Sequence, residues 1–231
     1  VDPLFGLSSL PFLATSIAEA RKLTALARPT YDAKLATFGQ KILYTTPWPA
    51  SGIWSKEALS APTALAGLSI RTYDGTSTAV MNAAGARASN LSFADAMPKV
   101  KDGSVTAVLS SGDGGAGRNL WDFLPNFAEV NYALPISIAT VNLAAYEALP
   151  ADLRKIVDDA AAATEQRQWT AIRTRLDENY ARMRANKVAI LTDVPPAVAK
   201  ALADAGKAVV DDWRQKAGRD GAAVLDAYRK P

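Results

Sequence analysis

Apolar residues recur at helical spacing from Ile17 to Leu26, break at Pro29 and resume from Tyr31 to Phe38. The pattern predicts two short helices, the second closed by Gly39. Lys41–Thr46 and Gly52–Trp54 then read as strands, and so does Leu68–Thr72, which runs into a helix start at Gly75-Thr76-Ser77-Thr78 and a helix ending at Ala84. Ser89–Leu91 is apolar only in part. Ser92 fits an N-cap for a helix over Phe93–Lys101, which Asp102-Gly103 stops, and Val105–Leu109 is a short buried strand. This alternation of strand and helix is the signature of parallel α/β sheets.

A glycine-rich stretch, Ser110–Gly117, leads to a short helix at Asn119–Phe123 and two extended segments, Val130–Ala133 and Ile136–Val141. From Ala151 to about Asn186 there is neither Gly nor Pro, which predicts a helix on the order of 50 Å long. One small lobe cannot hold such a helix, so it should run across two. Val188–Leu191 reads as a strand, and Pro195–Ala205, Ala208–Lys216 and Ala222–Tyr228 as closing helices.

The 231 residues are 49% hydrophobic and 21% charged, enough for one large domain or two modest α/β lobes. No apolar run approaches the roughly 18 residues that span a bilayer, so no direct membrane insertion is expected. The chain opens Val1-Asp2-Pro3 without a Met or a basic segment. Either a secretory signal has been removed or the sequence starts inside a longer protein. There is no Cys and no His, which excludes thiol nucleophiles, Ser-His-Asp triads and zinc sites containing Cys or His. No metal and no cofactor are expected. The net charge of +3 is dispersed, with no basic stripe interleaved with aromatics, so nucleic acid is not an expected partner.

Arg71 is a fixed cation at the mouth of a strand with a Gly- and Thr-containing turn after it. It is either a surface arginine paired with Asp74 or the fork that grips a carboxylate, because the carboxyl ends of strands are where open α/β sheets place ligands. Ser110–Gly117 lacks the order GxxxxGK[ST] and any Lys, and Asp113 would repel a phosphate. It reads instead as a loop whose N–H groups approach a small ligand, or as a flexible turn. Tyr44, Trp48, Trp54, Tyr73, Phe93 and Trp121 sit near strand ends. Singly they suit a core; converging on one cleft, they would wall a flat ligand. The paired carboxylates Asp158, Asp159, Asp211 and Asp212 read as solvated helix faces, so no catalytic residue is assigned.

The strings LPFLATSIAEARKL, AGLSIRT, FADAMPKVKDGSVTAVLSS and LPADLRKIVDDAA, in that order and spacing along the whole chain, resemble the solute-binding subunits of tripartite ATP-independent periplasmic (TRAP) transporters. The resemblance implies a two-lobed, periplasmic-binding-protein-like α/β fold with mixed sheets and a long crossover helix. Residues 1–48 with 136–175 would form lobe one, and 49–135 with 176–231 lobe two. Family members begin about two strand-helix units earlier, so lobe one is expected to lack its first part. The implied function is capture of a small organic acid in the periplasm and its delivery to membrane permease subunits, without catalysis.

Carried over residue by residue, Arg71 matches the family arginine that binds the ligand carboxylate, Phe93 an aromatic packed on the ligand, and Ser110 a position that is often Asn. Ser51 stands where sialic-acid binders carry a second arginine, and Thr106 replaces a usual Asp. The SSGDGGAGRNLW segment resembles a subgroup for aromatic or 2-oxo and 2-hydroxy monocarboxylates. Together with Ser111, Trp48, Trp54, Tyr73 and Asp113, these make the expected ligand-binding set. Two alternatives are an effector domain of a transcription regulator, which would accompany a DNA-binding module, and an α/β enzyme, which would need a base beside Ser110 or Ser111.

Overall fold

Ser16 opens the first helix with a capping box: its hydroxyl accepts the Glu19 N–H, and the Glu19 carboxylate accepts the Ser16 N–H at 3.1 Å. This helix, α1 (Ile17–Ala36), is continuous through Pro29, where the sequence pattern had divided it. An interior proline costs about 3 kcal/mol. Burial of Leu23 and Tyr31 on the two sides of it returns roughly 1.5–3 kcal/mol each, so packing keeps the helix whole. Gly39, at φ 65°, then turns the chain into β1 (Gln40–Pro47).

The computed structural model describes residues 2–230; Val1 and Pro231, the outer bounds of the two expected lobes, lie outside the described residues. The remaining strands are β2 (Ser51–Ser55), β3 (Ser69–Thr72), β4 (Arg87–Asn90), β5 (Ala107–Ser111), β6 (Asn126–Ala128), β7 (Ile136–Asn142) and β8 (Ala189–Leu191). Between them lie α2 (Thr63–Ala66), α3 (Gly75–Ala83), α4 (Phe93–Lys101), α5 (Gly112–Ala116), α6 (Leu143–Glu147) and α7 (Ala151–Ala185), and α8 (Pro196–Lys216) and α9 (Gly218–Arg229) close the chain. A 3₁₀ turn over Pro3–Ser9, β6 and α6 were not evident in the pattern.

The strands make two sheets. β1 and β7 pair antiparallel, and a six-stranded sheet runs in the order β4-β3-β5-β2-β6-β8. Within it β3 is parallel to both β4 and β5, as the alternation predicts. β2 is antiparallel to β5 and β6, so the sheet is mixed. β2 and β5 are buried on both faces: Ile53 joins one core with Leu65, Ile70 and Leu202, and Trp54 joins the other with Val108, Phe127 and Met183. A third core, with Leu7, Tyr31, Trp169 and Trp213, lies against β1 and β7.

Two extended segments connect the sheets side by side. Trp48 N–H donates to Pro135 O at 2.8 Å, Ser51 N–H to Ala133 O at 2.9 Å, and Tyr132 N–H to Ser51 O at 2.9 Å. Val130–Ala133, expected to be one extended segment, is not a strand: Asn131 lies at φ 49°, and the chain from there crosses between the sheets. α7 is the second link, about 50 Å long at 35 residues. Its first half holds β1, with Glu165 accepting the Thr45 N–H at 2.6 Å, and its second half holds α5 through Arg175 and Asn179. α8 is one helix where two were expected, because Gly206 gives the space in which Pro11 packs against it. α9 returns to the core against β1 and β7 through Val224 and Leu225, whereas the sequence grouping placed all of 176–231 with the other sheet.

Gly115 packs α5 onto Trp54 so closely that a Cβ would lie inside the indole. Gly115→Ala is therefore expected to cost about 1–3 kcal/mol and to lower Tm by several degrees. Gly75→Ala, whose Cβ meets nothing within 4 Å, should raise Tm slightly. Thermal unfolding of both variants checks this.

Candidate functional site

β3 delivers Arg71 to the carboxyl ends of three parallel strands, and the neighbouring strands hold it there. Its Nε donates to Leu91 O, just past β4, at 2.8 Å, and its Nη1 to Leu109 O of β5 at 3.3 Å. The residue is 6% exposed, and no carboxylate among the described residues lies within ion-pair distance of it. Asp74, the partner that a structural reading would choose, instead caps α3 by accepting the Ser77 N–H at 2.7 Å and hydroxyl at 2.6 Å. Burial, and secondarily the charge of Arg118, push the Arg71 pKa down from its ordinary value. It stays protonated at neutral pH even so. A guanidinium has five N–H donors, and two of these are spent on the protein, so the rest of the fork is available to an anion.

Phe93 sits on the first turn of α4, fixed there because the Ser92 hydroxyl accepts the Asp95 N–H at 3.2 Å. Its ring carries two cations: the guanidinium carbon of Arg71 is 4.1 Å from the centroid and that of Arg118 3.9 Å. Around them lies a cavity of about 310 Å³, bordered by the strand crossovers at Trp48, Pro49 and Pro135 and by Ser51, Tyr73, Ser110 and Ser111. The Trp48 indole is held by Ser137 Oγ at 2.8 Å. Tyr73 OH accepts a long hydrogen bond, 3.4 Å, from Ser51, and burial pushes its pKa far up, so it is a neutral hydroxyl. Among the described residues no Asp or Glu lines this cavity.

A larger hollow, about 590 Å³, lies between α1, β1 and α7. Acids in its own lining pair with two of its cations, Arg28 with Glu165 at 3.6 Å and Lys41 with Asp158 at 3.5 Å, while Arg21 donates to Gln166 at 3.2 Å. The smaller cavity has two guanidiniums and, among the described residues, no acid in its lining.

Of the residues expected from sequence, Arg71, Phe93, Ser110, Ser111, Trp48 and Tyr73 line this cavity and Trp54 and Asp113 do not. Trp54 is fully buried on the opposite face of β2, with its indole N–H on Ser111 O at 3.2 Å and Phe127 at 5.1 Å. Asp113 is carried by α5 toward α7, where it pairs with Arg175 and accepts Asn179 Nδ2 at 3.0 Å. Ser111 is partly committed, its hydroxyl accepting the Gly114 N–H at 3.1 Å. Thr106 is structural, since its hydroxyl accepts the Ser69 N–H at 3.0 Å and ties β3 to β5. Ser51, read only as an absent arginine, and Arg118, not selected at all, both line the cavity. The signal for Arg118 was that it is the one cation in the glycine-rich SSGDGGAGR segment. Among the described residues no cluster of three acidic side chains could hold a metal, and no helix is long and apolar enough to cross a membrane.

The family model described as bacterial extracellular solute-binding protein, family 7 (DctP), matches residues 1–216. No curated protein matches the chain. Among solved structures, the chain is 33% identical to DctP7 of Bordetella pertussis, an extracytoplasmic solute receptor binding pyroglutamic acid; the TM-score is 0.93, covering 99% of this chain and 76% of that one. DctP6 of the same organism, also binding pyroglutamic acid, is 29% identical, with a TM-score of 0.93 over 100% of this chain and 76% of that one. A marine metagenome TRAP solute binding protein specific for pyroglutamate, in complex with co-purified pyroglutamate, is 30% identical, with a TM-score of 0.91 over 99% and 75%. Neighbours of this kind are two-lobed TRAP binding proteins, and the chain itself belongs to the family 7 extracellular solute-binding proteins, the DctP family of TRAP substrate-binding proteins.

Proposed function

We propose that the protein binds a small monocarboxylate in the 310 Å³ cleft, in the periplasm, and passes it to the membrane permease subunits of its transporter. The observation that carries this reading is Arg71: a buried cation with an open fork and, among the described residues, no acidic partner. Burying an unpaired charge costs several kcal/mol, and a ligand carboxylate arriving on the fork offsets that cost with charge-assisted hydrogen bonds. Phe93 and Trp48 supply apolar walls, and the Tyr73 and Ser110 hydroxyls supply polar contacts. Two relatives at 30% identity or more bind pyroglutamate, which makes that compact cyclic acid the first ligand to test. A 2-oxo or 2-hydroxy monocarboxylate fits the same chemistry. The volume lies at the small end of ligand sites, which disfavours bulky aromatic acids.

Closure follows from the connections. Two lobes, one around β1 and β7 and the other around the six-stranded sheet, hinge at Trp48–Ser51 and Ala133–Ile136, and the cleft lies at that hinge. Shutting it expels water and strengthens the pairing of the carboxylate with Arg71.

Arg71→Lys keeps the charge and loses the planar fork. The affinity for pyroglutamate, read by titration calorimetry, is expected to fall roughly 10- to 100-fold, the equivalent of about one charge-assisted hydrogen bond. Unchanged affinity would overturn the assignment. The pH dependence follows from the two shifted groups. Burial lowers the Arg71 pKa from a very high value and raises that of Tyr73, so neither charge changes near neutrality. Binding should therefore differ by less than about twofold between pH 6 and pH 8, where the ligand carboxylate is also fully ionised.

A further inference from the structure

Arg118 stands out among the cations near the cleft. Arg175 pairs with Asp113, and Arg182 donates to Ala116 O at 3.4 Å on the far side of α5. Arg118 has no carboxylate within ion-pair distance among the described residues; its one protein hydrogen bond runs from Nη1 to Gly114 O at 3.2 Å. It is exposed, yet it lines the cavity and stacks on the same ring as Arg71. Two like charges share one aromatic ring, and among the described residues no acid pairs with either, so N–H donors of both remain free for a ligand.

We infer that Arg118 is the specificity-determining residue of the cleft, reading a second acceptor oxygen on the ligand close to the carboxylate that Arg71 holds. This rests on the binding function proposed above. The two cations differ in a way that divides the work. Arg71 is buried and held by two carbonyls, which fixes a fork for the group common to every acid. Arg118 is exposed and lightly held at α5, so its remaining N–H groups can follow an acceptor whose position varies between ligands. The acceptor is a neutral oxygen, a lactam or keto carbonyl or a hydroxyl, and not a second carboxylate. An exposed guanidinium gains little from a full opposite charge in water, whereas a directed hydrogen bond in a closing cleft discriminates strongly against a ligand that lacks the partner.

The test compares pyroglutamate with cyclopentanecarboxylate, which keeps the five-membered ring and carboxylate and lacks the ring carbonyl and N–H. Both are titrated into the wild-type chain, Arg118→Met and Arg118→Lys. The wild type should favour pyroglutamate by about tenfold or more. In Arg118→Met the ratio should fall below about threefold, through weaker pyroglutamate binding and nearly unchanged cyclopentanecarboxylate binding, and Arg118→Lys should lie between. Arg118 is exposed, so an unaltered melt is expected to accompany these changes. A ratio that survives in Arg118→Met overturns the inference and leaves the function standing. Succinate binding the wild type more tightly than pyroglutamate, and losing that advantage in Arg118→Met, also overturns it, in favour of a second carboxylate. If the wild type binds neither monocarboxylate, the proposed function falls and the inference with it. Arg71→Lys provides the contrast: it should weaken both acids alike.

Discussion

The structure of the cleft depends on one costly group, the guanidinium of Arg71 buried at the ends of three parallel strands. It can stay there because the chain past β4 and β5 itself presents carbonyls on either side of it. That requires the parallel order β4-β3-β5, which in turn requires α3 and α4 as crossovers, each with its own cap at Asp74 and Ser92. Carbonyls solvate a cation without neutralising it. The group is therefore partly satisfied in its hydrogen bonds and unsatisfied in its charge, which is the state the proposed anion receptor needs.

The rest of the molecule keeps this group at a place that can move. The two sheets are joined by paired extended segments with few hydrogen bonds and by two helices, α7 and α8, the latter burying Val198 and Leu202 with the six-stranded sheet and Val210 and Trp213 with β1 and β7. Each sheet has its own core, and the extended segments between them are short. Trp48, Pro49 and Pro135 lie on these segments and also on the cleft wall. A change in the angle between the sheets thus changes the shape of the site directly.

How much of this was legible in the sequence depended on whether the signal was local. Arg71 and Phe93 were readable because a strand end and an N-cap are each set by a few consecutive residues. α7 was readable because thirty-five residues without Gly or Pro permit little else. Trp54 and Asp113 were misplaced for the opposite reason. A five-residue strand buried on both faces has no polar alternation to say which way Trp54 points, and the turn of α5 that rotates Asp113 toward Arg175 is decided by a helix sixty residues later. Pro29 and Gly206 misled in the same manner: each looks like a break locally, and each is overruled by what it packs against. Arg118 escaped because one arginine at the end of a glycine-rich segment has no periodicity to mark it.

If the cleft binds acids as proposed, its distribution of charge and burial suits one fold to different ligands. A buried, rigid cation sets a common demand for a carboxylate, and it contributes affinity by having its desolvation already met before the ligand arrives. An exposed cation stacked on the same ring contributes little to that affinity while its partner is water. Its weight appears only as the cleft shuts and water leaves, when a ligand without a matching acceptor strands its donors. On the proposed reading, selectivity belongs to the closed state and affinity for carboxylates to the open one, and Phe93, which touches both guanidiniums, is the surface that would couple the two.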